Sequence, residues 1–426
     1  MSCLLLSGPN LNHLTRANAV TASDSDATYS ALTALYDGII SVPPHKFGTR
    51  AADRAYVADI DQMDGYGNFE GTWVGNQPPG FTGTFTGTGA SAKETVNMHG
   101  GAAALKLTGG TGTAAQTINY VGKTGEFAQI NGWIRGDGTA NGVARVRIQN
   151  LQTFDYLQAD LVTWSSAVAD IATQQPAAYA NVAVTFQLQS YAKCLADTVT
   201  IAVTFISTGS GAALFDDFYV APGVNFSGIF GSDVDPGIVP TLYWSDDNAA
   251  FTSAGTTLVK RPSFFTALAT TLYHRYWRQS FIGTNSVQTG TIWVSEWVLG
   301  QSIALQRSPN LGIQIEHIPN SVRIGQQPGH VWVAQTGSYD PRLLSLKFRL
   351  GEGAQGSSAS FIEHRDELVR RLRMGAFPCV IVPISSDPDV CIYGVAVDKK
   401  QFEQGLLAMW DCDAGVIEQP TGTGIS

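Results

Sequence analysis

The 426-residue sequence has little charge and no long apolar segment. Asp, Glu, Lys and Arg make up only 14% of it, and the formal net charge is -9, so it lacks the basic surface with which proteins bind nucleic acid. No apolar run approaches the ~20 residues of a membrane-spanning helix. We therefore expect no nucleic acid among its partners and no insertion into a membrane.

Cysteine is scarce, and its spacing is not that of a metal site. The five cysteines are odd in number, far apart and without a CxxC pair, which favours buried thiols. They are Cys3, Cys194, Cys379, Cys391 and Cys412. The N-terminal residues Met1 to Leu6 have no basic residue and too short an apolar core for a signal peptide. We expect the chain to be made and folded in a cytoplasm.

The common catalytic and nucleotide-binding motifs are also missing. The sequence has no Gly-x-Ser-x-Gly, no His-Glu-x-x-His and no Gly-x-x-x-x-Gly-Lys motif. Acidic pairs such as Asp216-Asp217 and Asp246-Asp247 offer the two carboxylates of a glycosidase, but they stand in turn-like contexts where Asp binds local backbone amides. We predict that the protein is not an enzyme and requires no cofactor.

The sequence is instead rich in glycine, with 45 residues, and in short alternating segments. Alternation of polar and apolar residues with a period of two is typical of strands that are half buried in a sheet. We predict a mainly β fold with two to four domains. The clearest segments are Gln116 to Tyr120, Phe127 to Arg135, Val143 to Gln149, Val182 to Leu188 and Val199 to Phe205.

Two of these segments place polar side chains on one side. Because side chains alternate across a strand, the opposite side of each segment packs into a core. We interpret the two segments as neighbouring strands that form one decorated face of a β-sandwich. The polar side consists of Gln129, Asn131, Trp133 and Arg135 in the first segment, and of Arg145, Arg147 and Gln149 in the second.

We predict that residues 68–222 form a self-contained unit that interrupts another domain. The unit opens with Asn68-Phe69-Glu70-Gly71, continues through the run from Gly100 to Leu107 and the segment Gly132-Trp133-Ile134-Arg135-Gly136, and closes with Phe215-Asp216-Asp217-Phe218. In this order the motifs resemble the jelly-roll carbohydrate-binding modules of the xylan- and glucan-binding kind. The resemblance implies an inserted jelly roll with a glycan-binding surface.

The same resemblance makes Trp133 a candidate platform on which a sugar ring stacks, since the C–H faces of pyranoses pack on aromatic rings. The alternative is an indole that is buried in the core. The candidates for hydrogen bonds to sugar hydroxyls are Arg135, Arg145, Arg147 and Gln149. Weaker aromatic candidates for the same face are Trp73, Phe154, Tyr156 and Trp164.

Modules of this family often hold a structural calcium ion with an early Glu and a late Asp. The matching residues here are Glu70 and Asp216 or Asp217, and carboxylate oxygens suit a hard cation. The alternative is that these carboxylates cap turns or bind backbone amides. The sequence leaves both interpretations open.

The segments on either side of the unit combine into one predicted domain. Thr241 to Phe251 is typical of a strand, an Asp/Asn turn and a returning strand, and Tyr273 to Ile282 and Thr291 to Gly300 are aromatic strands. This order is similar to the discoidin-like, galactose-binding-like sandwiches of tail and baseplate proteins of tailed bacteriophages. It implies a split sandwich formed by residues 1–67 and 223–300.

Residues 301–426 resemble the second part of those phage proteins. Predicted strands surround a single predicted helix, which begins with a capping box formed by Ser360 and Glu363 and ends at Arg373. A sheet with one packed helix is the architecture of phage tail-tube and distal-tail ring domains. The resemblance implies a homo-oligomeric ring, a hexamer by expectation, that contacts the tail tube protein, the baseplate hub and other tail-tip proteins.

The sequence as a whole indicates a structural virion protein of a tailed phage, located at the distal tail or baseplate and assembled in the host cytoplasm. Its inserted module would contact host-surface glycans. Two alternatives stay open. The protein is a non-virion carbohydrate-binding accessory protein, or the module is purely architectural and binds no sugar.

Overall fold

A computed structural model of the protein describes residues 4–7, 12–25, 28, 30–37, 45–47, 54–81, 86–87, 89–110, 113–189, 198–234, 238, 240–255, 257–260, 263–281, 292–304, 313–317, 322–327, 330–335, 342–351, 378–382, 391–397, 402–404 and 409–418. Within the described residues the regular structure is almost all β-strand, which confirms the predicted mainly β fold class. Short 3-10 helices span His13–Arg16, Leu32–Leu35 and Tyr66–Asn68. Within the described ranges, no helix is long and apolar enough to cross a membrane.

The strands are numbered in chain order. The first half of the chain contains β1 (Leu4–Ser7), β2 (Ala19–Ala22), β3 (His45–Lys46), β4 (Ala55–Asp59), β5 (Thr86–Gly87), β6 (Ala90–Glu94), β7 (Ala104–Thr108), β8 (Thr113–Lys123), β9 (Phe127–Arg135), β10 (Val143–Asn150), β11 (Tyr156–Leu157), β12 (Trp164–Ser165), β13 (Ala172–Gln174), β14 (Ala180–Gln187), β15 (Thr198–Thr208) and β16 (Ala212–Pro222).

The second half contains β17 (Val224–Ser232), β18 (Thr241–Ser245), β19 (Thr252–Gly255), β20 (Leu258–Lys260), β21 (Ser263–Leu272), β22 (Tyr276–Ser280), β23 (Trp293–Gly300), β24 (Ile303–Ala304), β25 (Ile313–His317), β26 (Val322–Gln327), β27 (His330–Gln335), β28 (Arg342–Gly351), β29 (Pro378–Val382), β30 (Ile392–Val397), β31 (Phe402–Gln404) and β32 (Met409–Glu418).

Strands β5 to β16 form two antiparallel sheets that face each other, here called the inserted sandwich. The seven-stranded sheet has the order β12-β11-β10-β15-β8-β5, with β13 also paired with β10, and the five-stranded sheet has the order β14-β9-β16-β7-β6. Alternate apolar side chains, such as Ile130 and Ile134 of β9, are buried between the sheets. At the centre, the ring of Phe205 lies 5.2 Å from that of Phe215 and 4.8 Å from that of Phe218, measured between centroids.

The alternation predicted within β9 and β10 is present, but the prediction that the two strands are neighbours is wrong. β9 lies between β14 and β16 in the five-stranded sheet, whereas β10 pairs with β15 in the seven-stranded sheet. The chain crosses from one sheet to the other between them. Their polar sides therefore point away from each other, on opposite outer faces of the sandwich. A period of two tells which residues share a side of a strand, but not which strand is the neighbour.

Two further sheets form the split sandwich, which takes strands from both sides of the insertion. One sheet has the order β19-β18-β22-β4-β2 and the other the order β20-β21-β17-β23-β3. Trp277 and Trp297 are fully buried in the core between them. The ring of Tyr56 stacks on that of Trp297 at 5.8 Å between centroids. These large aromatic side chains supply much of the apolar surface that holds the two sheets together.

Strand β17 is buried on both faces and connects the split sandwich to a third layer. Val224 and Ile229 belong to the split-sandwich core, whereas Phe226 and Phe230 point the other way and pack against the C-terminal sheet. The ring of Phe230 stacks on that of Tyr393 at 5.0 Å between centroids. β17 therefore contributes apolar side chains to two separate hydrophobic cores.

The C-terminal sheet has the order β24-β1-β29-β30-β32-β28-β25, with β31 also paired with β32, and β26 and β27 form a separate hairpin. Leu4 to Ser7 of β1 pair with Val382 to Cys379 of β29. This differs from the prediction that assigned all of residues 1–67 to the split sandwich. The other predicted domain boundaries stay predictions. The predicted helix from Ser360 to Arg373 lies outside the described residues.

A buried ion pair fastens the inserted sandwich to the rest of the chain. Arg16, from the 3-10 helix His13–Arg16, places Nη2 2.6 Å from Oε1 of Glu126, which lies in the turn between β8 and β9 and is 1% exposed. Burial, the largest single effect, would raise the pKa of Glu126, but the charge of Arg16, the neighbouring His13 and the hydrogen bonds from Arg16 and the Lys123 N–H together hold the pKa below its usual value. Burial lowers the pKa of His13, which lies beside the pair, to about 4. Arg16 therefore carries the positive charge at neutral pH.

We expect Glu126→Gln to lower the free energy of unfolding by about 3 kcal/mol, because it leaves the guanidinium of Arg16 largely buried without its carboxylate. Urea denaturation followed by circular dichroism measures the change. The matched control is Lys106→Met, which removes an ammonium group that is 40% exposed and pairs with Glu94 at 3.3 Å. Removing this exposed charge should lower the free energy of unfolding by less than ~1 kcal/mol. Equal losses in both variants would contradict the importance of the buried pair.

Candidate functional site

The outer face of the seven-stranded sheet carries a group of polar side chains. In β10 the side chains of Ala144, Val146 and Ile148 are fully buried, so Arg145, Arg147 and Gln149 point outward. The neighbouring strands β15 and β8 continue the polar surface on the same face of the sheet. Arg147 lies opposite Thr204 of β15, and Thr204 lies opposite Thr117 of β8, with the two hydroxyls 3.0 Å apart.

Two arginines on this face share one carboxylate. Nη1 of Arg145 donates to Oδ2 of Asp170 at 3.0 Å, while Nε and Nη2 of Arg147 donate to Oδ1 at 3.0 and 2.8 Å. The guanidinium groups stay partly open to solvent, with side-chain exposures of 39% for Arg145 and 27% for Arg147. One carboxylate does not balance two guanidinium groups, so the cluster keeps a positive charge and spare N–H donors.

Tyr156 completes the polar cluster with an aromatic ring. Strand β11 pairs with the end of β10, which places Tyr156 directly opposite Gln149, while the neighbouring Leu157 turns into the core. The guanidinium carbon of Arg147 lies 5.8 Å from the centroid of the Tyr156 ring. A cation over an aromatic face is attracted by the ring quadrupole, so the arginine and the tyrosine hold each other in place.

Phe154 is exposed beside this cluster and has an unusual backbone. Its side chain is 65% exposed and its φ is 61°, in the left-handed region that bulky residues rarely adopt. The turn is fixed by a hydrogen bond from the Phe154 N–H to the carbonyl of Asn150 at 2.8 Å and by one from Nε2 of Gln149 to the Phe154 carbonyl at 3.3 Å. Strain of this kind concentrates at functional positions.

The structure divides the six predicted glycan-binding residues into two groups. Arg145, Arg147, Gln149 and Tyr156 lie together on the outer face of the seven-stranded sheet. Trp133 and Arg135 lie on the outer face of the five-stranded sheet, because β9 belongs there. The prediction of one common face is therefore wrong for these two residues.

Two of the weaker aromatic candidates pack against the core instead of joining either face. Trp164 is 7% exposed and donates its Nε1–H to the carbonyl of Gln187 at 2.9 Å. Trp73 packs against the core and donates its Nε1–H to the carbonyl of Phe69 at 2.9 Å. Buried indoles satisfy their N–H in this way.

Three residues of the face were missed by sequence reasoning. Thr117 and Thr204 occupy outward positions of strands that had been predicted, so the alternation contains the signal that finds them. Asp170 stands in the connection before β13, where no periodic pattern marks it. Its contact with Arg145 and Arg147 depends on how that connection folds back over β10.

Trp133 is partly buried beneath a histidine on its own face of the sandwich. The rings of His99 and Trp133 stack with centroids 3.8 Å apart and an angle of 14° between planes. Nδ1 of His99 lies 2.8 Å from Oδ2 of Asp217. Arg135 donates to Oδ1 of Asn97 at 3.3 Å and lies 5.9 Å from the ring of Tyr179. Trp133 is therefore neither a bare platform nor a core residue.

The carboxylates predicted as calcium ligands bind backbone amides. Oε1 of Glu70 accepts hydrogen bonds from the N–H groups of Ala102 and Ala103 at 2.7 and 3.0 Å. Oδ2 of Asp216 accepts from the N–H groups of His99 and Gly100 at 2.7 and 3.1 Å. The two side chains thus hold the segment 99–103 from both ends. No cluster of three or more His, Cys, Asp or Glu side chains suited to a metal ion occurs within the described residues, and a calcium ion stays a prediction.

Comparison with known proteins gives weak structural likenesses only. No family model matches the sequence, and no curated protein matches it. The chain is similar to the CBM22-1 xylan-binding domain of Paenibacillus barcinonensis Xyn10C, with 14% identity over 34% of this chain and 88% of that chain and a TM-score of 0.24. It is also similar to the enzymatically active domain of bacteriophage CBA120 tailspike protein 4, with 14% identity, coverages of 37% and 21% and a TM-score of 0.25.

A third likeness is to TmCBM61, solved in complex with β-1,4-galactotriose, with 12% identity over 34% of this chain and 91% of that chain and a TM-score of 0.22. The neighbours therefore include two carbohydrate-binding modules and a phage tailspike domain. At these TM-scores the likeness assigns neither a family nor a function to the chain.

We expect Asp216→Asn to remove a pH dependence of stability. Burial, together with the charge of Asp217, raises the pKa of Asp216 from 3.8 to about 6, although the backbone amides lower it. Between these two values the folded protein keeps a proton that the unfolded chain has released. The contribution of this group to stability is therefore complete below the lower value and is lost as the pH rises through the higher one.

The free energy of unfolding of the wild type, minus that of Asp216→Asn, should decrease from about pH 4 to about pH 6 and then level off. Urea denaturation of both proteins across this range measures the difference. A difference that stays constant over the whole range would contradict the raised pKa.

Proposed function

We propose that the protein is a structural component of a tailed-phage virion that contacts host-surface glycans through the outer face of its seven-stranded sheet. The observation that carries the glycan part is the convergence of Arg145, Arg147, Gln149 and Tyr156 on one open face beside the exposed Phe154. These side chains come from β10, β11 and the turn between them.

The chemistry of this face suits a sugar. Sugar hydroxyls both donate and accept hydrogen bonds, and the face offers guanidinium donors, the carboxylate of Asp170 as an acceptor, and an amide that does both. The rings of Tyr156 and Phe154 offer aromatic surface for the C–H faces of pyranoses. Few other ligand classes match open polar groups and aromatic rings in this mixture.

Two buried polar atoms on the same face support binding of a polar partner. Oδ1 of Asn119 and Nε of Arg145 have no hydrogen-bond partner within the described part of the protein. Asn119 faces outward in β8, where its strand neighbour is Ala202 and the next residue across is Gln149. Unsatisfied buried polar atoms cost free energy, and a hydroxyl-rich ligand would offset this cost if neighbouring side chains moved to let it reach them.

An open face binds a single glycan weakly, because it removes little of the sugar surface from water. Several copies held in one particle raise the effective concentration of the remaining sites once the first is bound. A ring of subunits at the tail tip would supply this multivalency. We therefore propose a homo-oligomeric ring, a hexamer by analogy with phage distal-tail proteins, in contact with the tail tube protein and the baseplate hub.

The placement in the virion rests on the resemblance of residues 1–67, 223–300 and 301–426 to phage tail proteins. It is compatible with the way in which β1, from the start of the chain, pairs with β29 in the C-terminal sheet. That pairing ties the split sandwich to the C-terminal part, so a module carried by the former is fixed to the latter. The proposed role requires no catalysis.

The glycan proposal predicts that Tyr156→Ala weakens binding to a glycan array ligand by at least ~10-fold, because it removes both the ring and the support of Arg147. Isothermal titration with the strongest array ligand measures the loss. The matched control is Gln129→Ala, since Gln129 faces outward on the opposite sheet and bonds Oγ1 of Thr185. It should bind as the wild type does.

Unchanged binding by Tyr156→Ala would show that the glycan site is not on this face. Absence of any array signal from the wild type, at concentrations where a multivalent ring should bind, would favour a purely architectural module.

The ring proposal predicts that the purified full-length protein forms a closed oligomer in solution. Light scattering coupled to size-exclusion chromatography should give about six times the mass of one chain, as a symmetric ring requires. Immunogold labelling of phage particles should then mark the tail tip. A protein that stays monomeric when concentrated would contradict the ring and favour a free-standing glycan-binding protein.

A further inference from the structure

A cleft lies on the side of the inserted sandwich opposite the seven-stranded sheet, where the inserted sandwich meets the split sandwich. Its volume is about 600 Å³, within the range of pockets that enclose small ligands. One wall belongs to the inserted sandwich and contains Asn131 and Trp133 of β9 and Asn181 of β14. The other wall belongs to the split sandwich and contains Asp246, Asp247, Arg275 and Tyr276. Glu70 and Asp217 stand at the base of the inserted sandwich.

Among the residues that the structure describes, the lining is polar and aromatic and includes no aliphatic side chain. It consists of three amides, four carboxylates, one guanidinium, the rings of Trp133, Tyr219 and Tyr276, and three glycines. Such a surface offers no apolar pocket for a lipid or for the side chains of a peptide. It matches a ligand whose surface consists of hydroxyl groups and C–H faces.

The side chains of the inserted-sandwich wall are fixed before any ligand arrives. His99 stacks on Trp133 at 3.8 Å and places Nδ1 2.8 Å from the carboxylate of Asp217. The N–H of His99 is held in turn by Asp216 at 2.7 Å. A site whose rotamers are already set loses less entropy when a ligand binds.

The opposite wall repeats the arrangement. His274 stacks on Trp244 at 3.5 Å, and its Nδ1 lies 3.0 Å from Oδ1 of Asp246. The hydroxyl of Tyr219 donates to the same Asp246 oxygen at 2.8 Å and so connects the two sandwiches across the cleft. Each wall therefore presents a carboxylate that is positioned by a histidine stacked on a tryptophan.

The charges of the lining discriminate between ligands. Arg275 donates two hydrogen bonds to Asp59, with Nη2 3.0 Å from Oδ2, so its charge is balanced outside the cleft lining. Glu70, Asp217, Asp246 and Asp247 leave the cleft acidic. The hydrogen bonds of three of these carboxylates involve Oε1 of Glu70, Oδ2 of Asp217 and Oδ1 of Asp247, and the second oxygen of each can accept from a hydroxyl group. They repel an acidic ligand, because a like charge in a partly enclosed site is costly.

We propose that this cleft is a second glycan site, separate from the face of the seven-stranded sheet, that takes a short oligosaccharide without acidic groups. The carboxylates and amides accept and donate hydrogen bonds to the sugar hydroxyls, and the rings of Trp133 and Tyr276 contact its C–H faces. Because the walls belong to different sandwiches, one ligand contacts both.

The test separates the two sites with one variant for each. Asp217→Asn alters the cleft and keeps the size of the side chain, and Asn tolerates the left-handed backbone that Asp217 adopts at φ 52°. Tyr156→Ala alters the other face. Asn181→Ala is a second cleft variant at an exposed position of the edge strand β14, which keeps the test valid if Asp217→Asn folds poorly.

The probes are a glycan array and matched pairs such as lactose and 3′-sialyllactose. We expect Tyr156→Ala to keep binding to a set of neutral oligosaccharides and to none of their acidic counterparts. Asp217→Asn and Asn181→Ala should each weaken that set by at least ~10-fold, as loss of a hydrogen bond to a charged or amide acceptor does. Titration of the strongest neutral ligand measures the effect.

Three results would overturn the cleft site. They are loss of every array signal in Tyr156→Ala, unchanged binding of the neutral set by both cleft variants, and acidic counterparts that bind as well as the neutral ones. If instead the cleft variants lose all signals and Tyr156→Ala loses none, the cleft stands and the face proposal fails. A wild-type protein that binds nothing on the array rules out both.

Discussion

One buried carboxylate determines how the inserted sandwich joins the rest of the protein. Oδ1 of Asp61 accepts hydrogen bonds from the N–H groups of Met63 and Val220 at 2.9 and 3.0 Å, and Oδ2 accepts from Gly65 at 3.0 Å. Burial raises the pKa of Asp61 to about 6, although Arg275 and these amides lower it. The side chain binds the segment entering the insertion and the strand leaving it, so the geometry on both sides depends on it.

The connection that leaves the insertion is built as nearly continuous β-structure, whereas the one that enters it contains turns and the 3-10 helix Tyr66–Asn68. Strand β16 ends at Pro222 and β17 begins at Val224, with only Gly223 between them. The N–H of Gly223 donates to the carbonyl of Phe127, and its carbonyl lies 2.9 Å from Nε2 of His13. A Cβ at this glycine would lie 2.6 Å from Cγ2 of Thr271. With a single residue between β16 and β17, the inserted sandwich has little freedom to move relative to β17.

The sequence predicts the sides of the strands well and their partners poorly. Outward Arg145, Arg147 and Gln149 follow directly from a period of two, because alternation is a local property of an extended backbone. β9 and β10 belong to opposite sheets because they pair with strands that come later in the chain. β9 pairs with β14 and β16, whereas β10 pairs with β15. For the same reason, no local pattern predicts that Asp170 would join the two arginines, that His99 would cover Trp133, or that the N-terminal strand would complete the C-terminal sheet. The backbone-amide interpretation of Glu70 and Asp216, open in the sequence, is the arrangement found.

The double attachment of the inserted sandwich also has a mechanical consequence. A domain joined to its neighbour by one linker can swivel, and a pull on it loads a single strand. Here the segment that enters the insertion is hydrogen-bonded through Asp61 and Gln62 to Val220 of the strand that leaves it, and the Arg16–Glu126 pair braces the insertion at a further point. A force applied to the outer sheet of the insertion would be shared between both connections. The same connections would prevent the insertion from rotating under that force. The insertion is therefore suited to transmit the direction of a pull, and not only its size, to β17 and the split sandwich.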